Sequence, residues 1–532
     1  MKAFILTGVL TLLGVNFGFT QTTNEIVIDQ QSTNSAIAVT QTGENLYAGV
    51  TQVGLIEGEL GDNNSAIIQQ LGSVNTTEIS QRGNNNESEI DINAYSSHTT
   101  IFQEGFNNIA KSVSRGNYLI NSTISQIGNF NTSDIFTYGE NEMIASIHQQ
   151  GDHNITSINV SSEIWGFSDA HQIQIGNKNT ISLFQNSIIS GYSLQRQESY
   201  TDLGNVAIGV MQGKRIKLEQ FQHGDGNYVE SNQLGWGGEV FSVVARQVQT
   251  GDNNSSTVFQ SGEEIIVNQL QEGDNNIAEA YQRTEAMYGR IEQKQLGDYN
   301  IALAKQEDIM NFDFNQTTHS QSGSYNEILS YQALGANSAQ ISQEGNFNKV
   351  DVFQSGNYHS IAEINIQQNS TALETGNFAK AYQKDSEFVL VKQRQTGVNN
   401  ISEVEQKKVA HGTISQTQIG NINHALGLQS AGYDHSLLQY QVGNENLVMA
   451  IQEGDESLAI MQHQTGDMNS MTSLQTGFGL TMQGYQSGNL NMIKTDQSGE
   501  YNSIDLNQEG TGLQATVIQQ GSMSAIAIQQ SN

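Results

Sequence analysis

Apolar and small residues alternate with polar ones along most of the chain, at the two-residue period of a β-strand. In one segment the first face carries Asn300, Ala302, Ala304 and Gln306, and the opposite face carries Ile301, Leu303 and Lys305. The first-face series recurs as Asn348, Val350, Val352, Gln354 and as Asn491, Ile493, Thr495, Gln497. This pattern predicts seven-residue strands that turn the first series toward a core and leave a mixed surface outside.

The four residues between consecutive strands predict a turn. They read Leu-Gly-Asp or Ser-Gly-Asn before the next Asn. Glycine adopts backbone conformations that other residues resist, and Asp and Asn tolerate them. A helix is excluded because apolar positions do not recur three and four residues apart and because glycine stands inside each segment.

Strand and turn together form an internal repeat of the form Gln-x-Gly-x-x-Asn-x-(apolar or small)-x-x-x-Gln. Near the C-terminus the glutamines are eleven residues apart, at Gln464, Gln475, Gln486, Gln497, Gln508, Gln519 and Gln530. Full copies begin at Gln70, Gln174, Gln222, Gln249, Gln271, Gln295, Gln321, Gln343, Gln395, Gln418, Gln441, Gln464, Gln486 and Gln497.

Many full copies are 22 or 23 residues apart, as at Gln418, Gln441 and Gln464, which indicates two strand–turn units per layer. We therefore predict an all-β fold, a β-solenoid of stacked strand–turn–strand layers whose two parallel sheets face each other across a narrow core. Layers would be separated by the inter-strand spacing of about 4.7–4.9 Å.

A buried Gln or Asn is costly unless its amide is hydrogen-bonded. Stacked in register, each amide can donate to the copy on one side and accept from the copy on the other. The predicted ladder and turn residues are Gln249, Gly251, Asn254, Gln271, Gly273, Asn276, Gln295, Gly297, Asn300, Gln321, Gly323, Asn326, Gln343, Gly345, Asn348, Gln395, Gly397, Asn400, Gln418, Gly420, Asn423, Gln441, Gly443, Asn446, Gln464, Gly466, Asn469, Gln486, Gly488, Asn491, Gln497, Gly499 and Asn502.

Composition supports uninterrupted strand pairing. The 532 residues include no proline, which would break a strand ladder, and no cysteine, so disulfides and thiolate sites are excluded. Acidic residues outnumber basic ones by 54 to 22, for a net charge of -32. Nucleic acid is therefore an unfavourable partner, because its phosphates would be repelled.

The first twenty residues differ from the rest. Lys2 precedes the apolar stretch "AFILTGVLTLLGV", and small residues lead to a cleavage position between Thr20 and Gln21. This pattern is typical of a secretory signal peptide, with a buried core helix as the alternative. We predict a signal peptide over 1–20, an N-terminal segment over 21–29 and repeats over 30–532, less regular around 155–220, 307–318 and 367–393, where loops are expected. The mature chain is predicted to have no transmembrane segment.

The segments "QEGDNNIAEAYQ" from Gln271 to Gln282 and "QLGDYNIALAKQ" from Gln295 to Gln306 resemble the curlin repeat of curli subunits, a family of bacterial functional amyloids. The resemblance extends over most of the chain from about Gln30. It implies export in an unfolded state through an outer-membrane apparatus and assembly into cell-surface β-solenoid fibres of the biofilm matrix. It also implies a related nucleating or major subunit as a partner. This chain is several times longer than a usual curlin.

The closing stretch "GTGLQATVIQQGSMSAIAIQQSN" keeps the repeat and contains no charged residue. Edge strands of monomeric solenoids are normally capped or charged. We therefore expect the last layer to accept the N-terminal layer of another copy, so that the chain's partner is a second copy of itself. The alternative is an ordinary last repeat covered by another protein or by the N-terminal segment.

Catalytic and metal-binding motifs are weak. "GTGLQA" at Gly510 to Ala515 fits a dinucleotide-type glycine pattern but lies within the repeat and precedes no helical pattern. The 11 histidines are scattered. Asp-rich turns "GDNN" at Gly61, Gly251 and Gly273 raise the question of calcium, but turn chemistry explains them better. We expect no catalytic residue, no metal site and no cofactor.

The preferred function is therefore structural: a secreted, non-enzymatic protein that assembles into extracellular fibres for adhesion and biofilm matrix. The alternative is a monomeric β-solenoid adhesin, or an ice- or ligand-binding module, that uses the outward sheet faces. Heterogeneous outward residues argue against a uniform lattice-binding face. A β-helix enzyme is a third alternative, which would require charges that meet across layers.

Overall fold

The computed structural model describes residues 23–54, 61–139, 142–162, 167–187, 189–235, 242–309, 314–356, 361–370 and 375–532. These residues form 40 β-strands and no helix. The chain divides into two compact units, at residues 1–264 and 265–532. The predicted signal peptide over 1–20 and its cleavage position at Thr20 and Gln21 lie outside the described residues.

The strands of the first unit alternate with short turns, and the last of them contains the unit boundary. They are β1(Glu25–Thr33), β2(Ala36–Glu44), β3(Tyr47–Val53), β4(Gly61–Asp62), β5(Ser65–Ser73), β6(Thr76–Asn84), β7(Glu87–Phe106), β8(Ile109–Ile127), β9(Thr132–Gly139), β10(Met143–Gln150), β11(Ile155–Ser162), β12(Phe167–Ile175), β13(Thr180–Ser187), β14(Ser190–Glu198), β15(Val206–Gly213), β16(Ile216–His223), β17(Tyr228–Gly235), β18(Val243–Thr250) and β19(Ser255–Glu272).

The second unit continues the same alternation of strand and turn. Its strands are β20(Ile277–Leu296), β21(Ile301–Ile309), β22(Asn315–Ser322), β23(Glu327–Ala333), β24(Ala336–Glu344), β25(Lys349–Gly356), β26(Ile361–Asn369), β27(Phe378–Ser386), β28(Val389–Thr396), β29(Ile401–Ala410), β30(Thr413–Ile419), β31(His424–Tyr433), β32(Ser436–Val442), β33(Leu447–Glu456), β34(Ala459–Thr465), β35(Ser470–Phe478), β36(Thr481–Asn489), β37(Met492–Glu500), β38(Ser503–Thr511), β39(Gln514–Ser522) and β40(Ala525–Ser531).

Strands pair in parallel with the second strand along the chain, so that two successive strands make one layer. Strand β36 pairs with β38 in a register that places Gln486 beside Gln508, and β37 pairs with β39 in a register that places Gln497 beside Gln519. Alternate strands thus build two sheets that face each other within each unit. The predicted all-β parallel solenoid is confirmed, although stacked glutamines are separated by 22 residues in some layers and by 29 in others.

Four strands, β7, β8, β19 and β20, are much longer than the predicted seven residues. Strand β7 has 20 residues and β8 has 19, and they pair with each other through both halves of a layer with a register shift between Ala94 and Ser96. The connection between the two halves is hydrogen-bonded as part of the strand. In these layers the chain changes sheet without a separate turn.

The core of each unit is the space between the two sheets. Ala302 and Ala304 are 0% and 3% exposed, and Asn300 and Gln306 are fully buried beside them. In the second unit a continuous apolar cluster extends to Ile504 and Leu506. Small and branched residues at these positions allow the sheets to approach closely and exclude water.

The stretches expected to contain loops have paired strands in their described parts. Between 155 and 220 these are β11–β15 and part of β16, and β11 pairs with β13 without a break in register. Strand β22 begins at Asn315, inside the second stretch. Strand β28 lies inside the third stretch for part of its length and pairs with β26.

The predicted turn glycines adopt the backbone conformation for which glycine is needed. Gly443 has φ 119°, and a Cβ at this position would lie 2.0 Å from the carbonyl oxygen of Gly466 in the next layer. Two constraints therefore act together, the left-handed φ and the close approach of the next layer. Positive φ is shared by Gly251, Gly273, Gly297, Gly323, Gly345, Gly397, Gly420, Gly443, Gly466, Gly488 and Gly499.

Candidate functional site: the buried amide ladders

The predicted glutamines of the second unit form a continuous hydrogen-bonded row in one sheet. Gln464 Nε2 donates to Gln486 Oε1 at 2.8 Å, and Gln486 Nε2 donates to Gln508 Oε1 at 3.0 Å. The row runs through Gln271, Gln295, Gln321, Gln343, Gln368, Gln395, Gln418, Gln441, Gln464, Gln486, Gln508 and Gln530.

The facing sheet of the second unit carries a parallel row that contains the predicted Gln497. Gln475 Nε2 donates to Gln497 Oε1, and Gln497 Nε2 donates to Gln519 Oε1, both at 2.9 Å. The row runs through Gln282, Gln306, Gln332, Gln354, Gln383, Gln406, Gln429, Gln452, Gln475, Gln497 and Gln519.

The predicted Gln249 belongs to a row in the first unit. It accepts from Gln222 Nε2 at 3.1 Å and donates to the main-chain oxygen of Tyr228 at 3.0 Å. The row runs through Gln52, Gln81, Gln103, Gln126, Gln149, Gln174, Gln197, Gln222 and Gln249.

A ladder glutamine uses its donors and its acceptor together. Gln486 Nε2 also donates to the main-chain oxygen of Ser470 at 3.1 Å, while Gln486 Oε1 accepts from Gln464. Burial of Gln486 therefore leaves neither its amide nitrogen nor its oxygen without a partner, which removes a desolvation cost of about 1–3 kcal/mol per group. In each glutamine–glutamine bond the Nε2 donates to the Oε1 of the next layer toward the C-terminus, so all bonds of the ladder point the same way along the stack.

The predicted asparagines form a second ladder at the start of the strands, with the opposite direction. The main-chain N–H and Nδ2 of Asn446 both donate to Asn423 Oδ1, at 3.1 and 3.0 Å. Asn446 Nδ2 also donates to the carbonyl oxygen of Gly466 at 2.7 Å. Each asparagine thus links three layers and explains why the repeat spaces Gly and Asn three residues apart.

Most of the predicted asparagines occupy the same position in one sheet of their own unit, and the last, in the second unit, belongs to the facing sheet. The first set is Asn254 in the first unit and Asn276, Asn300, Asn326, Asn348, Asn400, Asn423, Asn446, Asn469 and Asn491 in the second. Asn502 starts a strand of the facing sheet, where its Oδ1 accepts the main-chain N–H of Ser524 at 3.0 Å.

Aspartates that follow turn glycines, including Asp252 of a predicted Asp-rich turn, act as hydrogen-bond acceptors for the neighbouring layer. Asp252 Oδ1 accepts the main-chain N–H of Asp225 at 2.8 Å, and Asp298 Oδ1 accepts that of Asp274 at the same distance. Turn chemistry thus accounts for these carboxylates. Within the described ranges, no group of three or more His, Asp or Glu side chains is arranged to hold a metal ion.

A further glutamine row lies two residues before the predicted one, and the sequence reasoning missed it. Gln416 Nε2 donates to Gln439 Oε1 at 2.7 Å, in the layer interior. The available signal was the motif Gln-x-Gln, since each member precedes a ladder glutamine by two residues. The members are Gln172, Gln195, Gln220 and Gln247 in the first unit and Gln269, Gln293, Gln393, Gln416, Gln439 and Gln462 in the second.

The terminal layers leave their inward side chains only partly covered. Ile526 and Ile528 of β40 pack against the core of the second unit and are half-buried. Gln519 and Gln530 donate to main-chain oxygens of Ser524 and Gln514, whereas an internal ladder residue such as Gln486 donates both to a main-chain oxygen and to another glutamine. In the first unit Ile26 and Ile28 of β1 are likewise half-buried.

These features define the class of the protein: a parallel β-solenoid with an amide-laddered core. Residues 61–91, which include β5 and β6, match the family model described as the curlin associated repeat. The predicted resemblance to the curlin repeat is thus confirmed at this segment. No curated protein matches the chain. In the part of the chain that the structure describes, no helix has the length and apolar character needed to cross a membrane.

Proposed function

We propose that this chain is a secreted structural protein whose copies stack end to end into curli-like extracellular fibres. The fibres would serve adhesion and the biofilm matrix, as the curlin resemblance implies. In each junction the C-terminal layer of one copy would receive the N-terminal layer of the next, so that β39 pairs with β1 and β40 with β2, as strands inside the stack pair with the second strand along the chain. The working parts of this structural role are the ladders and the two terminal layers.

One observation carries the proposal: the two terminal layers present the same inward series. Strand β40 presents Ile526, Ile528 and Gln530, and β2 presents Ile37, Val39 and Gln41 at the same spacing. Strand β39 presents Ala515, Val517 and Gln519, and β1 presents Ile26, Ile28 and Gln30. A parallel junction in this register places glutamine on glutamine and apolar on apolar residues.

The direction of the ladder fits the same junction. Glutamine donors face the C-terminal side, so Gln519 and Gln530 would donate to Gln30 and Gln41 of the incoming copy, respectively. The chain from Gly510 to Asn532 has no charged side chain. A copy that adds there meets no like-charge repulsion from the edge itself, although the whole chain carries a net charge of -32.

The outward faces give less support to a monomeric adhesin. Along one outer row of the second unit, Tyr331 and Phe353 stack at 5.2 Å and Phe353 and Tyr382 at 4.8 Å. The next layers place Glu405 and Leu428 at the same position. A surface that recognises a lattice needs a uniform row, which this is not. An export apparatus and a nucleating or major subunit remain partners implied by the resemblance.

The test is a time course of thioflavin fluorescence, with electron microscopy, on purified residues 21–532 with and without preformed seeds. We expect unbranched fibres and removal of the lag phase by seeds. Deletion of Gly510 to Asn532 should slow or stop elongation. A folded chain that stays monomeric at high concentration would contradict assembly and favour the adhesin, whose function would lie on the outward faces.

A further inference from the structure

Three chemically reactive side chains meet on the outer face of the first unit. Ser146 lies on β10, and Asp169 and His171 lie on β12. Ser146 Oγ is 2.5 Å from His171 Nδ1, and His171 Nε2 is 2.6 Å from Asp169 Oδ1. The imidazole thus stands between a hydroxyl and a carboxylate, the arrangement of a nucleophile, a base and a group that orients the base.

Strand pairing produces this arrangement. The parallel register of β10 and β12 places Ser146 directly beside His171. Asp169 precedes His171 by two residues and therefore projects from the same face of the strand. Asp169 Oδ1 lies 2.6 Å from His171 Nε2 without the alignment of a hydrogen bond, so Asp169 acts on the imidazole through its charge. The tautomer with its proton on Nε2 leaves Nδ1 able to accept a proton from Ser146.

The three side chains are accessible. The His171 side chain is 33% exposed and that of Asp169 39%, and Ser146 is half-buried on the same face. The inward neighbours Ala145 and Ala170 supply the local packing. Ser146, Asp169 and His171 belong neither to the core nor to the amide ladders, which leaves them available for chemistry.

We propose that Ser146, His171 and Asp169 form a hydrolytic site for small, activated esters. Ser146 Oγ attacks the ester carbonyl as His171 Nδ1 takes the hydroxyl proton. The bond to the alkoxy group breaks, and the leaving group departs with that proton as an alcohol or phenol. Water then attacks the acyl-serine, His171 takes the proton of the water, and Ser146 leaves reprotonated as the carboxylic acid is released.

The neighbouring strand favours an apolar ester. Register places Leu194 of β14 beside His171 and Tyr192 beside Asp169. On the other side, Thr123 of β8 lies beside Ser146 and offers a hydroxyl donor to the developing oxyanion. The main-chain amides of paired strands are engaged in the sheet, so the site lacks the strong oxyanion hole of a dedicated hydrolase. Slow turnover of activated esters is expected, and amides should resist cleavage.

The experiment uses p-nitrophenyl acetate with the chain from residue 21 to 532. Ser146→Ala and His171→Gln should each lower the protein-dependent rate by about 100-fold, the lower range of what a positioned base contributes. Asp169 is a positioning residue, so Asp169→Asn should lower kcat and leave KM unchanged. The matched control is His98→Ala, which removes an exposed histidine whose Nε2 is 3.3 Å from the Thr100 hydroxyl and should leave the rate intact.

A second measurement separates a serine nucleophile from simple imidazole catalysis. A fluorophosphonate probe forms a phosphorus–oxygen bond to an activated serine and releases fluoride. Peptide mass spectrometry should place the label on Ser146, and His171→Gln should abolish the labelling without changing the folded strand content. Equal hydrolysis by the unmodified chain and Ser146→Ala, or labelling spread over many serines regardless of His171, would overturn the proposal. Neither result bears on fibre assembly.

Discussion

Gln416 and Gly427 face each other across the interior of the second unit, and the side chain of one occupies the space that the other leaves. A Cβ at Gly427 would lie 3.2 Å from Gln416 Nε2 and 2.7 Å from Leu437 Cδ2. The first unit repeats the relationship, because a Cβ at Gly209 would lie 3.2 Å from Gln195 Nε2. Additional glutamines in the core therefore require a small residue on the facing sheet, either glycine as here or serine, as at Ser402 and Ser473, whose hydroxyls accept from Gln393 and Gln462.

Gly427→Ala should consequently destabilise the second unit. The added methyl group meets Leu437 and Gln416 in a closely packed interior, and overpacking of this kind costs about 1–3 kcal/mol. Urea unfolding should show a lower midpoint. Leu426→Ala on the outward side of the same strand is the control, with an expected change within about 0.5 kcal/mol. Equal effects of the two substitutions would contradict the packing relationship.

Breaking a glutamine ladder should weaken the layers on both sides of the break. In Gln441→Leu, Gln418 Nε2 loses its acceptor and Gln464 Oε1 loses its donor. Two buried polar groups are stranded, at about 1–3 kcal/mol each. Hydrogen exchange of the amides in β30, β32 and β34 should accelerate.

The control for that substitution is Gln340→Leu, which changes the same residue type on the exposed face of β24. Its exchange pattern should match that of the unmodified chain. If both variants exchange alike, then the buried amides add no stability beyond that of a surface glutamine, and the ladder account is wrong.

His319 should make the second unit sensitive to acid. Its side chain is fully buried, its Nε2 is 2.8 Å from Ser330 Oγ, and burial lowers its pKa to about 3 from 6.5. At pH values between about 3 and 6.5, His319 is protonated in the unfolded chain and neutral in the folded chain. The free energy of unfolding therefore falls as the pH falls. Below pH 6.5 the decrease in the free energy of unfolding approaches about 1.4 kcal/mol per pH unit, and above pH 6.5 His319 contributes no decrease.

His319→Gln should remove this dependence, because Gln293 occupies the in-register position of the preceding layer. The difference between the urea midpoints at pH 7.5 and pH 5 should shrink in this variant. His411→Gln, in an exposed turn, should leave the difference unchanged. An undiminished difference in His319→Gln would show that other groups account for the acid sensitivity.

The strand faces and the ladder register could be predicted from the sequence because the eleven-residue spacing fixes which side of a strand faces inward. Gln464, Gln486 and Gln508 stack as that spacing requires. The second glutamine row was missed because an inward Gln and an inward Ile fit the same two-residue period. Only the facing sheet, through residues such as Gly427, decides which of them fits.

The contact between Ser146 and His171 could not be predicted from the repeat for a different reason. Ser146 and His171 are 25 residues apart, not 22, because residues inserted between strands change the length of this layer. Turn residues were also hard to predict: Tyr299 and Phe347 adopt φ 56° and 57°, a conformation expected for Gly, Asn or Asp. There Tyr325 stacks on both rings, at 4.9 and 4.8 Å, and helps to hold the turns.

End-to-end stacking requires that residue 521 has no side chain. Inside the second unit, a Cβ at Gly499 would lie 1.8 Å from the carbonyl oxygen of Gly521, whereas a Cβ at Gly521 meets nothing within 4 Å. In the proposed junction the main chain of β1 of the next copy, at Ser32, covers that space. Gly521→Ala should therefore leave a folded chain whose C-terminal edge cannot accept another copy.

The most direct test is seeded elongation of the unmodified chain in the presence of small amounts of Gly521→Ala. The variant keeps an intact N-terminal layer, so it should add to growing C-terminal ends and stop them. Gly512→Ala is the control, because that turn position has φ 67°, meets nothing within 4 Å and is equivalent to Leu490 at φ 57°. The account predicts substoichiometric inhibition by Gly521→Ala and none by Gly512→Ala. Unimpeded growth with both variants would contradict stacking through this edge.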